Sequence, residues 1–217
     1  MTYERDRIIN CLVAGVGGQG TVLASKLIAA TALEKGFAVR TTETIGMAQR
    51  GGSVVSHVRM GERAFSPLIP KGAAQMILAF EPAEAVRLWP YLTPDGVVVS
   101  CDSPLKPVTS SLAGNTYQGQ TIIDFLRAQV DNLIIVSGDA VRERCGGLKA
   151  LNVALLGVAA GCGVLPFDAV DLEKTVLSKI PARFRDLNLT ALALGRELYE
   201  AQSDTLRHLE AGPRKGT

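Results

Sequence analysis

The stretch CLVAGVGGQGTVLASKLIAATALEKG, residues 11–36, decides the fold of this chain. It begins as a nearly continuous apolar run, breaks at four glycines and then continues with apolar residues at helical spacing. Such a pattern predicts a buried strand, a tight turn and a helix, in that order. Gly36 follows the last apolar positions, where a helix often ends on a glycine. A strand–turn–helix unit of this kind is typical of α/β proteins.

The rest of the chain extends this pattern. Apolar segments predict strands at 8–15, 37–43, 53–60, 74–80, 96–101 and 132–138, and helical spacing predicts helices at 82–92 and 119–130. Three further helices are predicted at 148–163, 167–180 and 182–202. We therefore expect one Rossmann-like, three-layer α/β domain over residues 1–202, with a mostly parallel sheet and a helical C-terminal region. Residues 203–217 are polar, and we expect this tail to fray.

Composition excludes several classes of function. The 217 residues are 47% hydrophobic and 20% charged, with a formal net charge of +2, which is ordinary for one globular domain. A charge so near balance indicates neither nucleic acid nor a membrane as a partner. The N-terminus does not resemble a signal peptide, and the most apolar stretch, 150–165, is shorter than the roughly 20 residues of a membrane span. We expect a cytoplasmic protein.

The turn after the first strand has the spacing of a dinucleotide-binding loop. Gly15, Gly17 and Gly20 match G-x-G-x-x-G, and Gly18 and Gln19 lie between them. Small residues at this place expose backbone N–H groups at a helix N-terminus, which favours a bound phosphate. The alternative is that these glycines only allow the helix to pack closely on the sheet.

An acidic residue that binds a ribose usually follows such a loop, at the end of the second strand. Glu43 is the candidate, but it comes slightly late, and Thr42 stands nearer the expected position. The loop is therefore an incomplete match to an NAD site.

A second loop, in TTETIGMAQRGGSVVSHVRMG (41–61), is more unusual. It carries one guanidinium, one carboxamide and several glycines before the third strand. Its candidate ligand-binding residues are Gly46, Gln49, Arg50, Gly51 and Gly52. Arginine favours anionic partners, and loops at the carboxyl ends of parallel strands are where α/β proteins bind ligands. The alternative is that Arg50 is a solvated surface charge.

The cysteines predict no metal or iron–sulfur site. Cys11, Cys101, Cys145 and Cys162 are far apart, and the sequence contains no C-x-x-C pair. They are interpreted as reduced, packed thiols, of which Cys145 has basic neighbours and is the candidate for higher reactivity. His57 lies in an apolar strand without a patterned catalytic partner, so we interpret it as structural, and no catalytic residue is assigned to this chain.

Together, GVGGQG (15–20) and TETIGMAQRGGSVVSHVR (42–59) closely resemble the gamma-type domain of the 2-oxoacid:ferredoxin oxidoreductases. Within that family the likeness is greatest to the small beta subunits of the indolepyruvate type. It continues in LKALNVALLGVAAG (148–161), which includes Asn152 and Gly157, and in LNLTALALG (187–195). The resemblance thus covers nearly the whole chain, to about residue 200.

The resemblance implies that this chain is one subunit of a larger enzyme. Such enzymes decarboxylate a 2-oxoacid on thiamine diphosphate, pass electrons through iron–sulfur clusters to ferredoxin and form an acyl-CoA. This sequence has neither cluster ligands nor the G-D-G and N-N motifs of a thiamine diphosphate and Mg²⁺ site, since SGDA (137–140) lacks the second glycine. The resemblance therefore places these cofactors on a large partner subunit. Coenzyme A is the candidate ligand of the glycine loop and Arg50.

Two other functions stay open at this stage. One is a stand-alone NAD(P)-dependent oxidoreductase that uses the glycine loop, and the other is a purely structural subunit whose loop binds nothing. The missing acid after the second strand and the lack of a hydride-transfer motif count against the first.

Overall fold

The computed structural model describes residues 7–45, 52–103 and 119–210. Its centre is one six-stranded sheet in the order β2-β3-β1-β4-β5-β6. The strands are β1 (Ile9–Val16), β2 (Val39–Ile45), β3 (Ser53–Met60), β4 (Ala74–Ala79), β5 (Leu92–Cys101) and β6 (Asn132–Val136). The helices are α1 (Thr21–Glu34), α2 (Pro82–Leu88), α3 (Gly119–Gln129), α4 (Gly138–Cys145), α5 (Leu151–Gly161), α6 (Ala169–Lys179) and α7 (Arg185–Glu210). Short 3₁₀ turns lie at Trp89–Tyr91 and Ala182–Phe184.

The sheet is mostly parallel, as the sequence predicts. β1, β4, β5 and β6 pair in parallel, so their carboxyl ends meet at one edge of the sheet. β3 is the exception, because it pairs antiparallel with both β1 and β2 and lies between them. Its first residue, Ser53, is opposite Val16, the last residue of β1. β3 therefore begins at the edge where β1 ends.

Helices cover both faces of the sheet, which confirms the predicted three-layer architecture. On one face, α1, α5, α6 and α7 enclose a large core that includes Leu27 and Leu155. On the other face, α2 and α3 enclose a smaller core around Leu88 and Leu126. Each large apolar side chain buried in this way contributes about 1.5–3 kcal/mol.

Helix α5 is the most deeply buried helix of the larger core. Every residue from Leu151 to Ala160 is buried. A helix that is apolar on all sides has to be enclosed on all sides, and α5 packs against the sheet, α1, α6 and above all α7. The prediction that the apolar stretch is a buried helix is confirmed.

Two glycines allow α5 and α7 to cross at close range. A Cβ atom on Gly157 would overlap the carbonyl oxygen of Leu192, and one on Gly195 would overlap the carbonyl oxygen of Ala154. The backbones of the two helices are therefore in direct contact.

Helix α7 continues to Glu210 and so extends into the segment 203–217 that the sequence analysis assigns to a fraying tail. The fraying of that segment stays a prediction. In the described ranges, no helix is long and apolar enough to span a bilayer.

Candidate functional site

The candidate site lies at the edge of the sheet where the parallel strands end. From β1 the chain passes through α1 to β2 on one side, whereas from β4 it passes through α2 to β5 on the other side. The direction of the chain thus reverses between β1 and β4. In doubly wound sheets this reversal opens the crevice in which ligands bind. The glycine loop between β1 and α1 lies beside this crevice.

The glycines of this loop have distinct tasks. Gly18 and Gly20 have φ values of 103° and 82°, which favour glycine, and Gly20 directly precedes α1. A Cβ atom on Gly15 would lie only 2.7 Å from Oε1 of Gln19. Gly15 therefore leaves room for the side chain of a neighbour in its own loop.

The loop uses several of its polar groups internally. The N–H of Gly17 donates to the carbonyl oxygen of Gly52 at 2.9 Å, and the N–H of Gln19 donates to Val16 at 3.1 Å. Neither N–H is available to a phosphate in this arrangement. Among the described residues the N–H groups of Gly18 and Gly20 have no hydrogen-bond acceptor, and the space over Gly18 is open. These two N–H groups are the candidates in this loop for contact with an anionic ligand.

The side chain of Gln19 fills the interior of the loop. Its Oε1 accepts a hydrogen bond from the N–H of Val16 at 2.6 Å, and its Nε2 donates to the carbonyl oxygen of Phe80 at 3.2 Å. Val16 ends β1 and Phe80 directly follows β4, so the carboxamide bridges the two strands at the crevice. The buried hydroxyl of Thr21 lies beside it and has no hydrogen-bond partner within the described part of the chain.

The second predicted loop is described only at its end. Gly46, Gln49, Arg50 and Gly51 lie outside the described residues. Gly52 is described, and its bond to Gly17 brings the end of this loop to the glycine loop. Their proposed roles in ligand binding stay predictions.

Next to Gly52, a polar cluster holds the first residue of β3. The hydroxyl of Ser53 donates to Glu84 Oε2 at 2.7 Å and accepts from Arg87 Nη2 at 2.6 Å. Arg87 also pairs with Glu84, and the carboxylate of Glu81 accepts from the N–H of Glu84 at 3.2 Å. Both carboxylates are buried, which makes the α2 side of the crevice unfavourable for an anion.

Thr42 and Glu43 lie away from the glycine loop. They belong to β2, an edge strand, and are opposite His57 and Ser56 of β3. β3 separates them from β1, so they are two strand spacings from it, or roughly 10 Å. In a dinucleotide-binding sheet the acidic residue ends the strand next to β1. The geometry of such a ribose contact is therefore not present here.

The structure adds Asn152 to the site, which the sequence analysis connects only with the resemblance. Its Nδ2 donates to the carbonyl oxygen of Gly20 at 3.4 Å, and a Cβ atom on Gly20 would lie 2.5 Å from it. Asn152 is buried at the start of α5, where an otherwise apolar helix makes it stand out. Ser53, Glu84 and Arg87 are also new to the site, and no sequence pattern connects them with it.

His57 has a structural role, as interpreted. Its Nδ1 accepts a hydrogen bond from the N–H of Ile69 at 3.1 Å, and its ring contacts Tyr91 edge to face. Burial lowers the pKa of His57, which keeps the imidazole neutral.

The cysteines do not converge on a site. Among the described residues no group of three or more metal-ligating side chains is present, and the four thiols are free. Burial raises the pKa of Cys145 and outweighs the lowering effect of Arg144. The basic neighbours therefore do not lower its pKa below the ordinary value, and the higher reactivity of Cys145 stays a prediction. The described residues fit neither an iron–sulfur cluster nor a structural metal.

A doubly wound sheet with a glycine loop at its reversal point defines the class of nucleotide-binding-type α/β domains. The family model for pyruvate ferredoxin/flavodoxin oxidoreductase matches residues 10–198. The chain belongs to this family, which confirms the resemblance.

Individual relatives are similar over nearly the full length. The indolepyruvate oxidoreductase subunit IorB of Archaeoglobus fulgidus is 37% identical over 188 residues, which are 86% of this chain and 93% of that protein. The IorB subunit of Thermococcus kodakarensis is 32% identical over 191 residues, with 86% and 93% of the two chains covered.

Solved structures share the fold. The gamma subunit of a keto/oxoacid ferredoxin oxidoreductase from Geobacter sulfurreducens has a TM-score of 0.62 at 23% identity and covers 89% of this chain and 99% of its own. The 2-oxoglutarate:ferredoxin oxidoreductase of Magnetococcus marinus, with 2-oxoglutarate, coenzyme A and succinyl-CoA bound, has a TM-score of 0.64 at 18% identity. That match covers 90% of this chain but 32% of the longer chain.

Proposed function

We propose that this chain is the small subunit of an indolepyruvate-type 2-oxoacid:ferredoxin oxidoreductase that acts in the cytoplasm. A large partner subunit carries thiamine diphosphate, Mg²⁺ and the iron–sulfur clusters, and the complex reduces ferredoxin. The observation that carries this proposal is the 37% identity to an indolepyruvate oxidoreductase subunit over 93% of its length.

Within the complex, the chain completes the assembly and contacts coenzyme A. The coenzyme A named with the Magnetococcus structure supports this ligand class, since that chain contains a domain of the same fold. On this chain, the N–H groups of Gly18 and Gly20 and the side chain of Arg50 are the groups that would meet a phosphate.

Two observations favour the alternative of a purely structural subunit. The N–H groups of Gly17 and Gln19 are already bonded within the protein, and the buried carboxylates of Glu81 and Glu84 flank the crevice. By contrast, the stand-alone NAD(P) oxidoreductase is disfavoured, because β3 separates Glu43 from the loop.

Co-expression with the partner subunit tests the proposal. The complex should reduce a viologen dye in the presence of an arylpyruvate and coenzyme A, and the isolated small chain should be colourless and inactive. Viologen reduction by the small chain alone would contradict the division of labour.

Arg50→Ala separates coenzyme A binding from a structural role. It removes a charge-assisted contact of about 1.5–3 kcal/mol, which corresponds to a rise of roughly 10- to 150-fold in KM for coenzyme A. Decarboxylation without coenzyme A should change much less. Arg63→Ala, an exposed arginine in the loop that follows β3 at the opposite edge, is the matched control. Equal loss of both activities, or loss of neither, would favour the structural subunit.

A further inference from the structure

A side chain of the protein itself spans the crevice between β1 and β4. In a dinucleotide-binding domain a pyrophosphate lies against the loop amides at this reversal point. Here the carboxamide of Gln19 bonds to the N–H of Val16 on one strand and to the carbonyl oxygen of Phe80 after the other. Both ends of that carboxamide are engaged, so Gln19 has a different task from the ligand contact that the motif predicts.

One peptide unit connects Gln19 to the second loop. The carbonyl oxygen of Val16 accepts from the backbone N–H of Gln19, and the N–H of Gly17 in the same peptide donates to Gly52. The backbone N–H of Gln19 thus holds one side of this peptide, and the other side holds Gly52. The carboxamide of Gln19 acts one peptide earlier, where it accepts from the N–H of Val16.

We propose that Gln19 is a positioning residue for the coenzyme A contact: its carboxamide binds the N–H of Val16 and the carbonyl oxygen of Phe80, and so anchors the loop residues Gly18 and Gly20 on either side of Gln19. This inference rests on the proposed function. It also explains why position 15 is a glycine: a Cβ atom there would lie 2.7 Å from Oε1 of Gln19, so the glycine leaves room for that side chain.

The same strands carry a matched control at their other end. Gln75 of β4 accepts a hydrogen bond through Oε1 from the N–H of Asn10 of β1 at 2.8 Å. Both glutamines are partly buried, and both connect β1 to the β4 segment. Only Gln19 is at the edge that carries the glycine loop. A merely structural role predicts the same phenotype for both.

The experiment uses the complete complex with the partner subunit and compares Gln19→Ala, Gln19→Met and Gln75→Ala. Gln19→Met keeps the side-chain length without the hydrogen bonds. We expect both Gln19 variants to raise KM for coenzyme A by about tenfold, because the loop is then no longer held in its binding conformation. A tenfold rise corresponds to roughly one lost hydrogen bond. The kcat of coenzyme A-independent decarboxylation should stay within about twofold. Gln75→Ala should lower Tm to a similar extent and leave KM for coenzyme A unchanged.

Three outcomes would overturn the inference. If KM for coenzyme A rises in proportion to the loss of Tm in all three variants, the role of Gln19 is structural. If KM for coenzyme A in Gln19→Met equals the wild-type value, only the volume of the side chain matters. If Arg50→Ala raises KM for coenzyme A and the Gln19 variants do not, the proposed function survives and the role of Gln19 is wrong. If none of these variants changes KM, both fail together.

Discussion

Gly195 of α7 lies so close to Ala154 of α5 that a Cβ atom on the glycine would overlap the alanine carbonyl oxygen. The same added Cβ would also lie 3.0 Å from the Cα of Gly157. The neighbours are backbone atoms of a helix that is buried on all sides, so they cannot move aside without separating the two helices.

Gly195→Ala should therefore destabilise the chain, although alanine ordinarily favours a helix by about 1 kcal/mol over glycine. We expect overpacking to cost about 1–3 kcal/mol or more and to lower Tm by at least about 2 °C, measured by thermal denaturation. Gly157→Leu should go further and reduce the yield of folded chain. A raised Tm for Gly195→Ala would refute the close crossing.

The stability of the chain should depend on the protonation of His57. Burial lowers its pKa in the folded state, so the unfolded chain binds the proton more tightly. The contribution of the neutral ring is complete above the unfolded pKa of about 6.5, and it is lost as the pH falls below that value towards the lowered folded pKa.

We expect the free energy of unfolding, measured in urea from pH 7.5 to 5, to fall more steeply for the wild type than for His57→Asn. The asparagine oxygen keeps an acceptor for the N–H of Ile69 and does not titrate. Identical pH profiles of the two proteins would show that His57 makes no such contribution.

Thiol reactivity should single out Cys145. Cys11 and Cys101 are fully buried, and burial raises the pKa of Cys11 to about 12. Burial also raises the pKa of Cys162 to about 12, and its Sγ donates to the carbonyl oxygen of Val158. Titration of the native chain with a chromogenic disulfide at pH 8 should show one faster-reacting thiol, and Cys145→Ser should remove it. In urea all four thiols of the wild type should react. A fast phase that survives in Cys145→Ser would contradict the low reactivity expected of the other three thiols.

The local part of the fold was predictable from the sequence. β1 lies within a residue of its predicted bounds, and α1 follows the glycine turn and ends before Gly36, as predicted. An apolar run, a glycine turn and helical spacing are all short-range signals. α4 was not predicted, since half of its eight residues are charged and they form no apolar pattern. Its signals were nevertheless present: Ser137 caps its start and Gly146 ends it with a φ of 68°.

The long-range part was not predictable. Alternating side chains identify β3 as a strand but do not give its direction, and its antiparallel position is what moves Glu43 away from the loop. Similarly, the glycine spacing identifies the loop, whereas the bond from Gln19 to Phe80 joins residues 61 positions apart. Asn152 reaches Gly20 over 132 positions, which one sequence does not show.

The place of β3 between β1 and β2 also limits what protein engineering can do with this scaffold. Point mutations can alter charges around the glycine loop, but they cannot bring the end of β2 next to it, because a whole hydrogen-bonded strand stands between them. Converting the domain into an NAD-dependent one would require removing or re-pairing that strand. We therefore expect that libraries of loop substitutions alone will fail to create an NAD site of the dinucleotide-binding type.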